Sequence, residues 1–338
     1  MRPFHYQHAA DRAEALKAAA AAQGSSHVEA PVQYLAGGTT LIDLMKLDVM
    51  RPTALVDINA LSREHGEIHA DGERLRLGAL ARMSDVADHP AVRRDYPMIA
   101  QSLDLAASPQ IRNMASLGGN VLQRTRCPYF RDTAWKACNK REPGSGCAAL
   151  EGVNRKLAVL GVSDHCIANY PGDFAVALAA LGATVDLEGV DGRRVIAFDE
   201  LHRLPGDTPH IETTLRPGEL ITGFSVPAGA WTRRSLYLKV RDRQSYEFAL
   251  ASAAVALDLD GGAVREARIG LGGVAAKPWR SREAEAALQG RPLTEESAHA
   301  AAEAAFTHAV ARGELTFKPE LGRRTLVRAL LQAKAMEI

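Results

Sequence analysis

The chain has four cysteines, and Cys127, Cys138, Cys147 and Cys166 all fall within one window of forty residues. Disulfides are unexpected in a cytosolic chain of 338 residues, which is long enough to build its own core. A metal or cluster site is the better reading of the group. The same window has few long apolar runs and several breakers, Pro128 and Pro143-Gly144-Ser145-Gly146 among them. It therefore reads as an irregular insertion, and a loop of that length inside a compact domain needs something to hold it. A bound cluster would do so. Regular structure must then form on either side of the window.

The N-terminal side alternates strands and helices. Phe4-His5-Tyr6 reads as a strand, Asp11 to Ala22 as an Ala-rich helix, Val32 to Leu35 as a strand, Leu41 to Leu47 as a helix and Ala54 to Ile58 as a strand. Shorter elements follow: Ile68 to Ala70 and Arg74 to Leu77 joined by Asp71-Gly72, then a helical stretch from Pro90 to Leu105. Beyond the window, Asp173 to Leu181 is helical, and Ala183 to Leu187 and Arg194 to Phe198 are strands. Pro227-Ala228-Gly229 marks a boundary. The remainder opens on strands (Ser235 to Val240, Ala251 to Leu259, Ala263 to Leu271) and closes on helices (Ser281 to Leu288, Thr294 to Arg312, Leu321 to Lys334).

Charge excludes several partners. The net charge is +1, so nothing calls for nucleic acid or an anionic membrane, and Arg233-Arg234 and Lys239 to Arg243 read as solvated faces. No segment approaches the apolar run that crosses a bilayer, so no membrane insertion is expected. Met1 to His8 has neither an apolar signal core nor twin arginines. A cytoplasmic location is expected from this sequence, with the periplasm reachable by co-export with a signal-bearing partner.

Two glycine turns carry the binding chemistry. Leu35-Ala36-Gly37-Gly38-Thr39-Thr40-Leu41 lies between a strand and a helix, where consecutive backbone N–H groups can face a pyrophosphate. It is not the G-x-G-x-x-G of a nicotinamide fold, and on its own a tight structural turn explains it as well. Ala115-Ser116-Leu117-Gly118-Gly119-Asn120, about eighty residues on, is a second such turn. Two of them suit one ligand with a long diphosphate gripped from both sides.

The pair resembles the FAD-binding fingerprint, of the type A-G-G-T-x-L then S-x-G-G-N, of the medium subunit of the xanthine dehydrogenase and carbon monoxide dehydrogenase family. Lys239 to Glu247 is similar to that family's K-x-x-x-R-x-x-x-D, with Glu247 in place of Asp. The resemblance implies an α+β fold: a two-part FAD-binding domain of the vanillyl-alcohol-oxidase type, then a C-terminal α+β domain of the CO-dehydrogenase flavoprotein type. The expected division is 1–60, then 61–228 with an insertion at about 124–169, then 229–338. The first turn, from Leu35 through Leu41, and the second, with Ala115, Ser116, Gly118, Gly119, Asn120 and Leu122, would hold the diphosphate and its flanks. Asp173 would contact the adenosine part, Ile221 would cover the flavin ring, and Lys239 would lie near that ring, unless it is simply an exposed strand lysine.

The cysteines are spaced C-x10-C-x8-C-x18-C and lie in an insertion that most family members lack. Thiolates suit iron–sulfur clusters, zinc and copper(I). Structural zinc usually arrives with close C-x-x-C pairs, absent here, which tilts the reading to a [4Fe–4S] cluster. His165 beside Cys166 reads as an ordinary loop histidine. Bacterial aldehyde oxidoreductases with three separate subunits have a flavin subunit with such an insertion, and this chain resembles those. The resemblance implies an electron-transfer subunit carrying FAD and [4Fe–4S], with no catalytic side chain of its own. Its partners would be a large molybdenum-cofactor subunit, a small subunit with a pair of [2Fe–2S] clusters, and an external electron acceptor. Two other readings stay open: a self-contained flavin oxidase, and a zinc-stabilised scaffold without catalytic function.

Overall fold

The structure, a computed structural model, describes residues 1–20 and 29–338. Its first sheet is β1 (His5–His8), β2 (Val32–Leu35) and β3 (Ala54–Asp57), all parallel, in the order β1-β3-β2. Parallel neighbours need crossovers, and helices supply them. The first helix is Arg12–Ala19, capped by Asp11, whose carboxylate accepts the Glu14 amide at 2.9 Å. Ala21 and Ala22, the end of the helix expected here, lie outside the described residues. The second crossover carries the helix Leu41–Lys46, so the first glycine turn opens directly onto a helix start.

The second sheet contains β4 (Ile68–Ala70), β5 (Arg74–Gly78), β6 (Thr184–Gly189), β7 (Gly192–Ala197) and β8 (Leu220–Pro227), antiparallel throughout and ordered β4-β5-β8-β6-β7. Sequence pattern assigns no strand to β8, yet it lies at the centre. Its alternation is broken: Gly223 interrupts the strand, and the register against β6 shifts between Asp186 and Leu187. The helix expected over Pro90 to Leu105 is two helices, Pro90–Asp95 and Pro97–Asp104. Pro97 bars its predecessor from helical geometry, and Tyr96 sits at φ −135°, ψ 52°.

The third sheet, ordered β12-β11-β10-β9, is antiparallel: β9 (Ser235–Val240), β10 (Ala251–Asp260), β11 (Ala263–Gly272) and β12 (Trp279–Arg280). The helices Arg282–Leu288, Glu295–Ala305 and Lys318–Lys334 follow it. The second of these was expected to run to Arg312 but stops at Phe306. That ring is buried against Gly322, where an added Cβ would come within 2.2 Å of it. Between the second and third sheets lies the helix Asp173–Leu181, buried along its whole length. It fits closely because β11 has glycines opposite it: a Cβ at Gly270 would meet the Val176 carbonyl oxygen at 2.6 Å. This is the mixed helix-and-sheet α+β class that the pattern of elements calls for.

The cysteine window is mostly irregular, as its composition requires, with one short helix at Pro128–Arg131. It is nonetheless well anchored. Leu157, Val159 and Leu160 are buried with Leu271, Val274 and Leu330 in one apolar core, and the Val159 and Leu160 amides donate to the Val274 carbonyl. Packing on the third sheet therefore holds the insertion, beyond anything the cysteines bind.

Lys318 completes that anchor. Fully buried, it donates to the carbonyls of Leu157 (2.7 Å) and Gly273 (2.6 Å). Burial, helped by Arg155 and Lys156, lowers its ammonium to about 7. In the unfolded chain the lysine keeps its proton up to about pH 10.4. Unfolding therefore takes up a proton between those limits, and stability rises with pH across that window as the burial penalty fades. The Lys318→Met variant lacks this proton uptake. Urea midpoints at pH 7 and pH 9.5 are expected to show the wild type gaining on the variant; an unchanged gap would mean that Lys318 does not titrate there.

Candidate functional site

Between the first two sheets runs a cleft lined by both glycine turns. Leu35, Ala36, Gly37, Gly38, Thr39, Thr40 and Leu41 form one wall, Ser116, Gly118, Gly119 and Leu122 another, and Ile221 on β8 closes a third side. The two glycine turns are pressed together. A Cβ on Gly37 would stand 1.9 Å from the Met114 carbonyl oxygen and 3.3 Å from the Ala115 Cα. Arg82 locks this junction by donating to the Met114 carbonyl and to Asn59 Oδ1.

The turns differ in what they offer. Gly38 is left-handed at φ +71°, which sets the bend between β2 and the helix Leu41–Lys46. Among the described residues, the amides of Gly37, Gly38, Thr39 and Thr40 donate to no protein acceptor, and Thr40 makes no side-chain capping bond. Four successive unfilled donors at a helix start make a nest for an anion. The second turn is a short helix, Leu117–Val121, capped by Ser116 Oγ, which accepts the Gly119 amide at 3.3 Å. Its other amides are already bonded: Leu117 to Ala81 (3.0 Å), Gly118 to Ala79 (2.8 Å) and Asn120 to Ser116 (2.9 Å). Its open group is the Asn120 side-chain oxygen, buried without a partner. A row of unfilled donors in the cleft wall fits an anionic ligand such as a diphosphate.

Four residues expected at the site do not line the cleft. Ala115 braces the first turn from behind, and Asn120 sits on the far side of its short helix. Asp173 and Lys239 form a buried ion pair at 2.8 Å, with side chains 5% and 1% exposed. Lys239 also donates to the Leu105 carbonyl, and the Tyr237 hydroxyl lies 2.6 Å from Asp173 Oδ1. The lysine is thus no exposed strand residue; its charge is matched internally rather than offered to the cleft.

Sequence reading missed Tyr34, Leu80, Arg124 and Glu219 on the cleft wall. Arg124 brings a positive charge, fixed by a buried pair with Glu212 at 2.6 Å and stacked on Phe130 at 4.6 Å. Its one sequence signal is its place directly after the second turn. Glu219 stands immediately before the central strand that pattern failed to show. Its burial would raise the carboxyl, but Arg194 and the Arg216 amide outweigh that and keep it ionised.

The four cysteines come together. Cys127, Cys138, Cys147 and Cys166 line one small internal chamber with Tyr129, Phe130, Lys140 and His165. Cys138 and Cys147 sit on adjacent backbone segments, and the Ala168 amide donates to Cys166 Sγ at 3.5 Å. Burial pushes the Cys127 thiol up to about 12, against the pull of the Phe130 and Tyr129 amides. Cys166 rises to about 11, with burial opposed by Lys140 and the Ala168 amide. Such thiols are neutral and inert at pH 7 unless a metal displaces the proton. Among the described residues no three His, Cys, Asp or Glu form a group placed to hold a metal ion. The donor set is all sulfur, spread around a chamber rather than meeting at a point.

Asp43 ties this region to the first turn. It accepts from Arg131 (2.8 Å) and Arg126 (3.1 Å) of the insertion, and those charges hold its carboxyl low although burial works the other way.

Comparisons with known proteins agree with this architecture. Residues 2–229 match the family described as FAD binding domain in molybdopterin dehydrogenase, and residues 236–337 match the CO dehydrogenase flavoprotein C-terminal domain. The aldehyde oxidoreductase FAD-binding subunit PaoB of Escherichia coli is 45% identical over 336 residues, 99% of each chain. The carbon monoxide dehydrogenase medium chain of Hydrogenophaga pseudoflava is 27% identical, covering 90% of this chain and 89% of that one. A solved structure of carbon monoxide dehydrogenase from Hydrogenophaga pseudoflava superposes with a TM-score of 0.76 at 26% identity, over 99% of this chain and 98% of that chain. With both family models and a near full-length relative in agreement, the chain belongs to the FAD-binding medium subunits of the xanthine dehydrogenase and carbon monoxide dehydrogenase family, oxidoreductase subunits of the molybdenum hydroxylases.

Proposed function

We propose that this chain is the FAD- and [4Fe–4S]-carrying electron-transfer subunit of a molybdenum-containing aldehyde oxidoreductase. In this reading a large molybdenum-cofactor subunit oxidises the substrate, a small subunit with [2Fe–2S] clusters delivers electrons, and an external acceptor receives them. The observation that carries it is the presence, in one chain, of two chambers with complementary chemistry. One has a row of unfilled amides, the other four cysteines, three of them buried. The near full-length similarity to PaoB, named as an aldehyde oxidoreductase subunit, supports the substrate class.

FAD, when bound, supplies the junction between one-electron and two-electron transfer. The chain's own residues bind and orient it. The amides from Gly37 to Thr40 would take the diphosphate, Asn120 the flank, and Leu35, Leu122 and Ile221 would shield the rings from water. Cys127, Cys138, Cys147 and Cys166 would hold the cluster. The spacing of these cysteines, without a close C-x-x-C pair, favours a cluster over a single zinc ion. No helix among the described residues is long and apolar enough to cross a membrane.

The purified chain is expected to show flavin absorption bands over a broad iron–sulfur shoulder, with stoichiometric iron and acid-labile sulfide. Removing iron with a chelator should bleach the shoulder and leave the flavin bands. A colourless protein after reconstitution with FAD would overturn the reading, and turnover of an alcohol or amine by this chain alone would replace it with a self-contained oxidase.

A further inference from the structure

Outside the two chambers, the molecule has one buried charged cluster that touches both. Arg124 lines the flavin cleft, and Lys140 lines the cysteine chamber. Between them stands Glu212, 2.6 Å from Arg124 Nη2 and 3.6 Å from Lys140 Nζ, through the same carboxylate oxygen. All three side chains are largely buried, at 8%, 16% and 13% exposure for Arg124, Glu212 and Lys140. Lys140 also donates to the Pro209 carbonyl at 3.0 Å, so its ammonium is held in place. His202 lies beside the group. Burial lowers it to about 4, which leaves it neutral at pH 7. The cluster therefore carries one net positive charge, shared between two cations that converge on one carboxylate oxygen while their residues line different chambers.

A carboxylate between two cations that face different chambers is an unusual arrangement for packing alone. A single Arg–Glu pair would satisfy Arg124. Lys140 adds a second charge whose partner is already neutralised, in a place where burying it works against folding. Lys140 lies among the residues that line the cysteine chamber.

We propose that the Arg124–Glu212–Lys140 triad is an electrostatic bridge between the two cofactor positions, with Glu212 the positioning residue that aims one cation at each. Reducing either centre adds negative charge, and a fixed cation nearby in a poorly hydrated interior favours that form. Because Glu212 is common to both cations, removing its charge is felt on both sides. The triad sets the two potentials relative to each other, and so sets the direction of electron flow between the centres. This inference rests on the reading above, that FAD and an iron–sulfur cluster occupy the two chambers.

The test is a redox titration of the purified chain with both groups bound, followed by visible and electron paramagnetic resonance spectra. Iron and flavin content are measured first. In Lys140→Met the cluster's reduction equilibrium is expected to shift about tenfold toward the oxidised form, which is about 59 mV for a one-electron couple. Glu212→Gln is expected to shift both centres the other way, toward the reduced form. With full occupancy, a cluster at wild-type potential in Lys140→Met overturns the proposal. So does a Glu212→Gln chain in which either centre stays at its wild-type potential. If Glu212→Gln fails to fold, the separate variants Lys140→Met and Arg124→Met decide. The single lysine change should move the cluster more than the flavin, and the arginine change the flavin more than the cluster; the reverse or equal response overturns the bridge. A wild-type chain that holds no iron or no flavin overturns the underlying reading, and the bridge with it.

Discussion

Gly37→Ala is expected to leave a chain that folds but purifies with little or no FAD. The added methyl would stand 1.9 Å from the Met114 carbonyl oxygen, where no Cβ can remain, and that neighbour is backbone rather than a yielding side chain end. The two glycine turns must therefore separate by more than an ångström. Arg82 resists this separation by holding the Met114 carbonyl and Asn59 together. Overpacking of this kind costs roughly 1–3 kcal/mol, about ten- to a hundred-fold in an equilibrium. The strain falls on the binding of FAD because the displaced element is the row of amides from Gly37 to Thr40. Flavin content per chain after gel filtration, together with a thermal melt, separates the outcomes. A stable variant with full flavin content would show that the first turn does not grip the cofactor. Gly118→Val should act in the same direction, since a Cβ on Gly118 would stand 3.2 Å from the Ala79 methyl and its amide donates to the Ala79 carbonyl.

Cys138→Ser is expected to do the reverse: iron is lost and FAD is kept. A hydroxyl is a poor substitute for a thiolate at a soft metal centre, and Cys138 is buried with the other sulfurs. The flavin cleft should survive, because its walls come from the segments 33–41, 116–124 and 219–221 together with Met50, Ile58, Ala79 and Leu80, and none of the cysteines lines it. The insertion should also stay folded, since Leu157, Val159 and Leu160 pack on the third sheet and Lys318 holds the Leu157 carbonyl. Iron and sulfide analysis beside a flavin spectrum would decide the matter. Unchanged iron in this variant would contradict the assigned ligation.

The glycine turns and the cysteines were legible because backbone chemistry and thiol chemistry each have a residue signature. Gly37-Gly38-Thr39-Thr40 alone reads as a tight structural turn and points to a diphosphate only beside the second glycine turn; in the structure its amides donate to no protein acceptor among the described residues. Asn120 was read as part of the second turn's grip; its part in the geometry is an orphaned side-chain oxygen, while the amides around it serve the protein itself. Arg124 and Glu219 escaped notice because their meaning depends on partners far along the chain. Glu212 lies 88 residues from Arg124, and Glu219 stands just before β8, a strand whose register against β6 shifts between Asp186 and Leu187. Phe306 shows the same limit. Helical periodicity continues past it in the sequence, but the ring finds a cavity beside Gly322 and the helix ends.

The sequence by itself determined the local chemistry: which segments twist into strands or helices, where backbone donors stand open, and which sulfurs can bind a soft metal. Tertiary structure alone decided how those pieces face one another. It paired Lys239 with Asp173 instead of leaving it to the cleft, placed β8 at the centre of its sheet, and set Glu212 between Arg124 and Lys140. Propensity and period act over a few neighbouring residues, whereas the cost of burying a charge is settled by whichever distant group folding brings beside it.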